Sequence, residues 1–189
     1  MSKKNKIQSK IIGLDAGLAF GKFFLNTEDL HFGYWKNNEK PTAQNFSEAQ
    51  QNHSQLIIDH IPPHTTNILD VGSGSGNLAL KLLSKGYNVD CVIPSTYLAQ
   101  AVEKKIKKKG TIHICTFEEL TIKKKYDTII FSESFQYINI AIGLKKIQDL
   151  LKPSGHLIIC DFFQKDISQK SPMGGGHPWL AFQKEIKNS

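Results

Sequence analysis

Short apolar runs alternate with stretches of helical spacing through the middle of this chain. Asn67–Val71 is apolar, β-rich and bounded by turn residues, which predicts a buried strand. From Asn77 the spacing changes, and Leu78, Leu80, Leu82 and Leu83 give a short amphipathic helix stopped by Gly86. A second strand, Asn88–Ile93, is closed by Pro94. Ser95 then caps a helix through Leu98, Ala101, Val102 and Ile106, ended by Gly110. Thr111–Cys115 and Tyr126–Phe131 predict the third and fourth strands. A helix over Ile138–Leu151 is broken by Pro153-Ser154-Gly155, and His156–Cys160 is the fifth strand. Continuous apolar strands alternating with helices predict an α/β fold: a mainly parallel sheet covered on both faces, a three-layer α/β/α sandwich. Right-handed crossovers place the carboxyl ends of its strands on one edge, where ligands bind.

The 189 residues suit one domain with a sizeable core, and an apolar fraction of 40% is ordinary for a globular chain. No stretch approaches the roughly 18 apolar residues of a membrane helix. The basic start, MSKKNKIQSK, lacks the apolar core and cleavage site of a secretion signal. Cys91, Cys115 and Cys160 are odd in number and sit in apolar runs, which suggests buried thiols in a reducing compartment, the cytoplasm. No Cys/His spacing suggests a metal. The net charge of +7 lies largely in Lys3-Lys4, Lys104–Lys109 and Lys123–Lys125. No aromatic residues interleave with these lysines to stack bases, so they read as a solvated face and no nucleic-acid partner is expected.

The chemistry concentrates in "ILDVGSGSGNLAL", beginning at Ile68. Three alternate glycines between a strand and a helix let the backbone approach a ligand closely. The dinucleotide fingerprint G-x-G-x-x-G fails by one residue, because Asn77 stands where its third glycine belongs. Asp70, Gly72, Gly74 and Gly76 instead make D-x-G-x-G-x-G, which resembles motif I of the class I S-adenosylmethionine (SAM) methyltransferases. "KYDTIIFSESFQYI" looks like that family's fourth-strand motif, and "LLKPSGHLIICDF" like its turn and fifth strand. "LHFGYW" (30–35) with "NFSEAQ" (45–50) is similar to the N-terminal segment of small-molecule members, including cyclopropane-fatty-acid and sarcosine-type enzymes. The resemblance spans about Leu30 to Phe163.

The resemblance implies a Rossmann-like core over 67–163, an N-terminal helical lid over 1–66, and a C-terminal loop and short helix over 164–189. It implies SAM as cofactor and a small-molecule acceptor. Gly72, Ser73 and Gly74 would line the methionine part by backbone. Asn77 would reach ribose or carboxylate, and Asp70 would anchor the turn or meet the amino group. Tyr34 of the lid, Pro94, Glu118 and Ser132 join the expected cofactor residues. The family usually ends its second strand with an acid that grips the ribose, but here Ile93 occupies that place. Asp90, on the opposite face by period-two alternation, is no substitute. The family's adenine-binding acid after the third strand is replaced by Thr116, with Phe117 available either to stack on adenine or to pack in the core.

Methyl transfer needs an in-line nucleophile in a dry, positioned site, and a hydroxyl or protonated amine acceptor also needs a base. Glu133, His31 and Tyr137 are the candidates, and His177 in "GGGHPW" is a further pocket candidate. Neither the N-P-P-Y signature nor a Pro-Cys nucleophile of nucleic-acid methyltransferases is present. A non-catalytic or truncated methyltransferase-like module, or an NAD-dependent oxidoreductase, remain alternatives. After Phe163 the sequence predicts loop over Ser171–Gly176 and one helix over Pro178–Ile186, without two further strands. The fifth strand would then present an apolar edge, expected to be covered by a second copy, a partner chain or the N-terminal arm.

Overall fold

The computed structural model describes residues 3–36, 39–165 and 175–187, with side chains described from residue 12 onward. Two helices, α1 (Lys3–Phe24) and α2 (Ala43–Asp59), precede the first strand. The core then runs β1 (Asn67–Val71), α3 (Asn77–Ser84), β2 (Asn88–Val92), α4 (Thr96–Ile106), β3 (Ile112–His113) and β4 (Tyr126–Ser132). A 3₁₀ turn (Phe135–Tyr137) leads into α5 (Ile140–Leu150) and β5 (Leu151–Cys160). The five strands form one parallel sheet in the order β3-β2-β1-β4-β5. Strands β2 and β3 are added on one side of β1, and β4 and β5 on the other, and this switch in winding between β1 and β4 opens a crevice beyond their carboxyl ends.

Polar caps fix where the helices begin. The Thr42 hydroxyl accepts from the Asn45 N–H, and Asn45 Oδ1 returns a bond to the Thr42 N–H at 2.9 Å, a closed capping box. Ser95 caps α4 through the Leu98 N–H at 3.1 Å, and Asn139 caps α5 through Ile142 at 3.1 Å. Alternation along the strands divides the core into two layers. Ile68, Cys91 and Ile130 face α3, α4 and the α2 residue Ile57, while Leu69, Val71, Ile129 and Phe131 face α5 and Phe182. Both layers are sealed: Ile68, Leu69, Ile129, Ile130 and Phe131 are each 0% exposed.

Several elements differ from expectation. β3 is only Ile112–His113, because it pairs β2 at just those residues. The helix expected over 138–151 starts later, at Ile140, after the 3₁₀ turn, and β5 begins directly at Leu151 rather than after a break. The Pro153-Ser154-Gly155 stretch is absorbed as an irregularity inside β5, between the pairs Tyr126↔Leu151 and Thr128↔His156, with Ser154 at φ 62. Two further strands do form, contrary to expectation: β6 (Phe163–Gln164) and β7 (His177–Pro178) pair in parallel as a separate two-stranded sheet. The final helix, α6, covers Trp179–Lys187. The expected loop residues 171–174 lie outside the described residues. β5 remains an edge strand of the main sheet, with α2 beside it. No helix among the described residues is long and apolar enough to cross a membrane.

Candidate active site

A cavity of about 900 Å³ lies over the carboxyl ends of the strands. Its walls are the turn Gly72–Ser75 after β1, Ile93–Ser95 after β2, Cys115–Glu118 after β3, Ser132–Ser134 after β4 and Phe162–Gln164 after β5. The segment Asp29–Gly33, between α1 and α2, covers it. The volume is within the range typical of small-molecule sites.

The glycine turn is knitted to its neighbours. Gly72 donates its N–H to Val92 O at 2.8 Å, and a Cβ there would stand 2.4 Å from Ser134 Cβ. At Gly74 (φ +54) a Cβ would meet only Leu30 Cδ1, at 3.8 Å, so the space beside it is open toward the cavity. The Ser73 hydroxyl donates to the Asp70 carbonyl at 2.8 Å.

The Asp70 carboxylate itself is 1% exposed, lines the cavity, and has no hydrogen-bond partner on either oxygen. Burial pushes its carboxyl up to about 7, against a smaller lowering by the adjacent Ser73 hydroxyl, whose own bond goes to the Asp70 carbonyl. The Ser132 hydroxyl is a second buried, unpartnered polar atom on the same wall.

Asn77 lines the cavity but is engaged on both sides. Its amide donates to Asp29 Oδ1 at 2.9 Å, and its Oδ1 accepts from Lys105 Nζ at 2.6 Å. Lys105 also pairs with Glu28 and donates to Ser75 at 3.0 Å. This member of the 104–109 run is thus a strut beneath the segment that covers the cavity, not part of a solvated face. Lys124 is likewise committed, to Asp90, which also accepts from the Thr111 N–H and the Tyr126 hydroxyl. Asp90 is a structural acid outside the cavity lining.

Ile93, 2% exposed, and Pro94 stand on the cavity wall where an acid was sought. Thr116 donates its hydroxyl to Glu119 at 2.9 Å. Glu118 lines the cavity and accepts from the Asn139 N–H at 3.3 Å. Phe117 is both lining and core: it is 3% exposed and meets the Phe131 ring edge-to-face at 5.3 Å. Tyr34, expected among the cofactor residues, is not in the lining. Its ring is 45% exposed and its N–H donates to Ala49 O, whereas the neighbouring Gly33 and Trp35 do face the cavity.

The candidate bases converge at the end of β4. Glu133, at φ 51, accepts from the Phe32 N–H with both oxygens, at 3.0 and 3.1 Å. Burial, reinforced by Asp161, outweighs that bond and raises its carboxyl to about 7. His31 donates Nδ1–H to Phe32 O at 2.7 Å, and burial lowers its pKa. Tyr137 reaches the same cavity although half-exposed. His177 does not line it: its ring faces the Phe135 carbonyl at 3.0 Å.

Sequence reasoning missed His53 of α2, which stacks on His31 at 4.3 Å and lies 3.7 Å from Glu133 and 3.2 Å from Cys160 Sγ. It also missed Asp29. Neither carries a local signal, since His31, His53 and Glu133 meet only through the tertiary fold.

Residues 69–159 match the family model for a methyltransferase domain. Over 135 residues the chain is 30% identical to the malonyl-[acyl-carrier protein] O-methyltransferase of Priestia megaterium, covering 67% of this chain and 49% of that protein. Over 120 residues it is 34% identical to the ubiquinone/menaquinone biosynthesis C-methyltransferase UbiE of Rickettsia bellii, covering 56% and 48%. The chain thus spans about half the length of these relatives. Among solved structures, a putative sarcosine dimethylglycine methyltransferase from Galdieria sulphuraria superposes with a TM-score of 0.76 at 19% identity, over 92% of this chain and 73% of that one.

Proposed function

Because the chain belongs to the class I SAM-dependent methyltransferase family, we propose that it binds SAM over the β1–β4 crevice and passes the methyl group to a small-molecule acceptor. The observation that carries this reading is Asp70. A buried carboxylate without a partner is costly, and a cationic ligand group beside it removes the cost. The amino group of SAM is such a cation. The open space at Gly74 fits the same ligand, because a side chain there would fill it. Bound SAM supplies an electrophilic methyl on a sulfonium centre.

In this reading the backbone of Gly72–Gly74 cradles the methionine part and Asp70 holds the amino group. Phe117 and Thr116 flank the adenine, and Pro94 and Glu118 border the ribose. Glu133 is the acceptor base: its raised pKa places it near the middle of the working pH range, where general bases are most effective. The lid segment, tied down through Asp29–Asn77 and Phe32–Glu133, excludes water. Residues 1–66 then act as lid, 67–163 as SAM-binding core and 164–189 as a C-terminal flank, in a cytoplasmic protein. The outer edge of β5 supports a companion reading, in which a second copy or a partner chain covers it.

One observation favours a second reading. The apolar Ile93 forfeits a charged ribose contact worth about 1.5–3 kcal/mol, as in a non-catalytic SAM-fold module. A screen with methyl-labelled SAM against a small-molecule extract separates the two. Label transferred by the wild-type protein and lost in Glu133→Gln supports the enzyme. SAM binding without any transfer favours the module, and preferential NAD binding would return the site to an oxidoreductase.

A further inference from the structure

Beside the SAM cavity, at the junction of the lid segment, α2 and the end of β4, three metal-ligating side chains meet. The ligand atoms of His31, His53 and Glu133 all lie within 4.8 Å of one another. His53 Nε2 and Glu133 Oε1 are 3.7 Å apart. The three side chains are 11%, 7% and 11% exposed, so they are not a chance surface grouping.

The orientation of His31 is set by its own backbone: Nδ1 donates to Phe32 O at 2.7 Å, which leaves Nε2, 3.8 Å from Asp29 Oδ1, as the nitrogen available to an ion. A second bond that fixes the tautomer in this way is the usual support of a metal-bound imidazole. His53 Nε2 faces the Glu133 carboxylate at 3.7 Å; its ring is stacked on that of His31 at 4.3 Å and 27°, so the two imidazoles would have to rotate for their lone pairs to meet on one ion. The Cys160 thiol, 3.2 Å from His53 Nε2, adds a soft donor alongside.

We propose that His31, His53 and Glu133 form a binding site for one divalent transition-metal ion of the zinc type. Two imidazoles, a carboxylate and a neighbouring thiol are the donors that suit zinc over the oxygen-seeking magnesium and calcium. At metal–ligand bonds of about 2.0–2.1 Å, tetrahedral ligand atoms stand about 3.3 Å apart. The His53–Glu133 distance is already close to that, and side-chain rotation closes the remainder. With His31, His53 and Glu133 as the three ligands and the Cys160 thiol outside the shell, one coordination position is open, and His31 and Glu133 both border the cavity. The ligands come from three separate elements, so the ion would also staple the lid segment to the sheet.

An ion on Glu133 would occupy the carboxylate assigned above as acceptor base, so ion binding and base catalysis are alternative states of this residue, and ion binding is read by itself. The full chain, stripped with a chelator, is titrated with Co²⁺ by visible absorption and with Zn²⁺ by calorimetry. One ion per chain is expected, with the absorption of four-coordinate Co²⁺. His31→Ala and His53→Ala, each confirmed as folded by circular dichroism, should weaken binding by about tenfold or more. His64→Ala, at an exposed position, should leave it unchanged. Failure to bind either ion at micromolar protein would overturn the proposal. So would an ion retained in the folded His31→Ala/His53→Ala double variant, which would assign it to surface histidines.

Discussion

Replacing Asp70 by Asn should stabilise the ligand-free protein at alkaline pH and, in the same stroke, weaken its affinity for SAM. The Asp70 carboxyl ionises near 3.8 in an unfolded chain and is raised to about 7 by burial in the fold. Below the lower value both states are protonated and the group costs nothing. Between the two values the folded state keeps a proton that the unfolded state has lost, so stability falls as pH rises. Above about 7 the loss is complete. A span of about three pKa units corresponds to about 4 kcal/mol at most. Asn never ionises, so it escapes this loss, but its amide group is buried without a partner at a cost of about 1–3 kcal/mol at every pH. The variant should therefore be no more stable than wild type near pH 5 and more stable than it by about 1–3 kcal/mol near pH 8. Urea unfolding at both pH values reads the difference, and Glu133 cancels because both proteins contain it. A wild-type–variant difference that stays flat with pH would show that Asp70 is not a buried, unpaired carboxylate, and the cation-binding argument would fall with it.

Gly74→Val should leave a folded protein, destabilised by about 1–2 kcal/mol through its positive φ, that has lost SAM affinity by calorimetry; unchanged affinity would remove the glycine turn from the site. Ile93→Asp should tighten SAM binding by about tenfold or more by restoring a ribose acceptor, while lowering the melting temperature because the position is 2% exposed; flat or weaker binding would mean another group already serves the ribose. With Glu133 as base, the methyl-transfer rate should rise with pH through about 7 and then level, since the ionised form accepts the proton. Glu133→Gln should remove that limb and about 10²–10⁴ of the rate, and a Gln variant with the wild-type profile would dismiss Glu133 as the base. The β5 edge should be occupied in solution, giving an assembly larger than one chain by light scattering and slow amide exchange over residues 157–160. A monomer with freely exchanging β5 amides and ordinary turnover would refute this.

The parts of the fold legible in the sequence are those with local causes. β1, β2 and β4 announce themselves because both faces are buried, leaving unbroken apolar runs. α4 and α5 begin where Ser95 and Asn139 can cap them. The positive φ at Gly72, Gly74 and Gly76 explains why the turn shows in the sequence as alternating glycines. Non-local features were hidden. β3 is shortened by its pairing with β2, and β6 with β7 is a pairing across a connection that no period reveals. The same holds for the site. Asp70 stands in the motif, but only the fold shows that its carboxylate lacks a partner. Tyr34 lies off the cavity lining because its N–H is tied to Ala49 O and its side chain is exposed, while Gly33 and Trp35 on either side of it line the cavity. His53 sits mid-helix, and its meeting with His31 and Glu133 depends on how α2 packs against the ends of β4 and β5.

The most direct test of the central claim is calorimetric titration of SAM into the wild-type protein and Asp70→Asn, both near pH 8. The account predicts one SAM per chain with micromolar affinity for the wild type, and a loss of about tenfold to a hundredfold in the variant despite its greater stability. No SAM binding by the folded wild-type chain, or equal affinity in the two proteins, would contradict it.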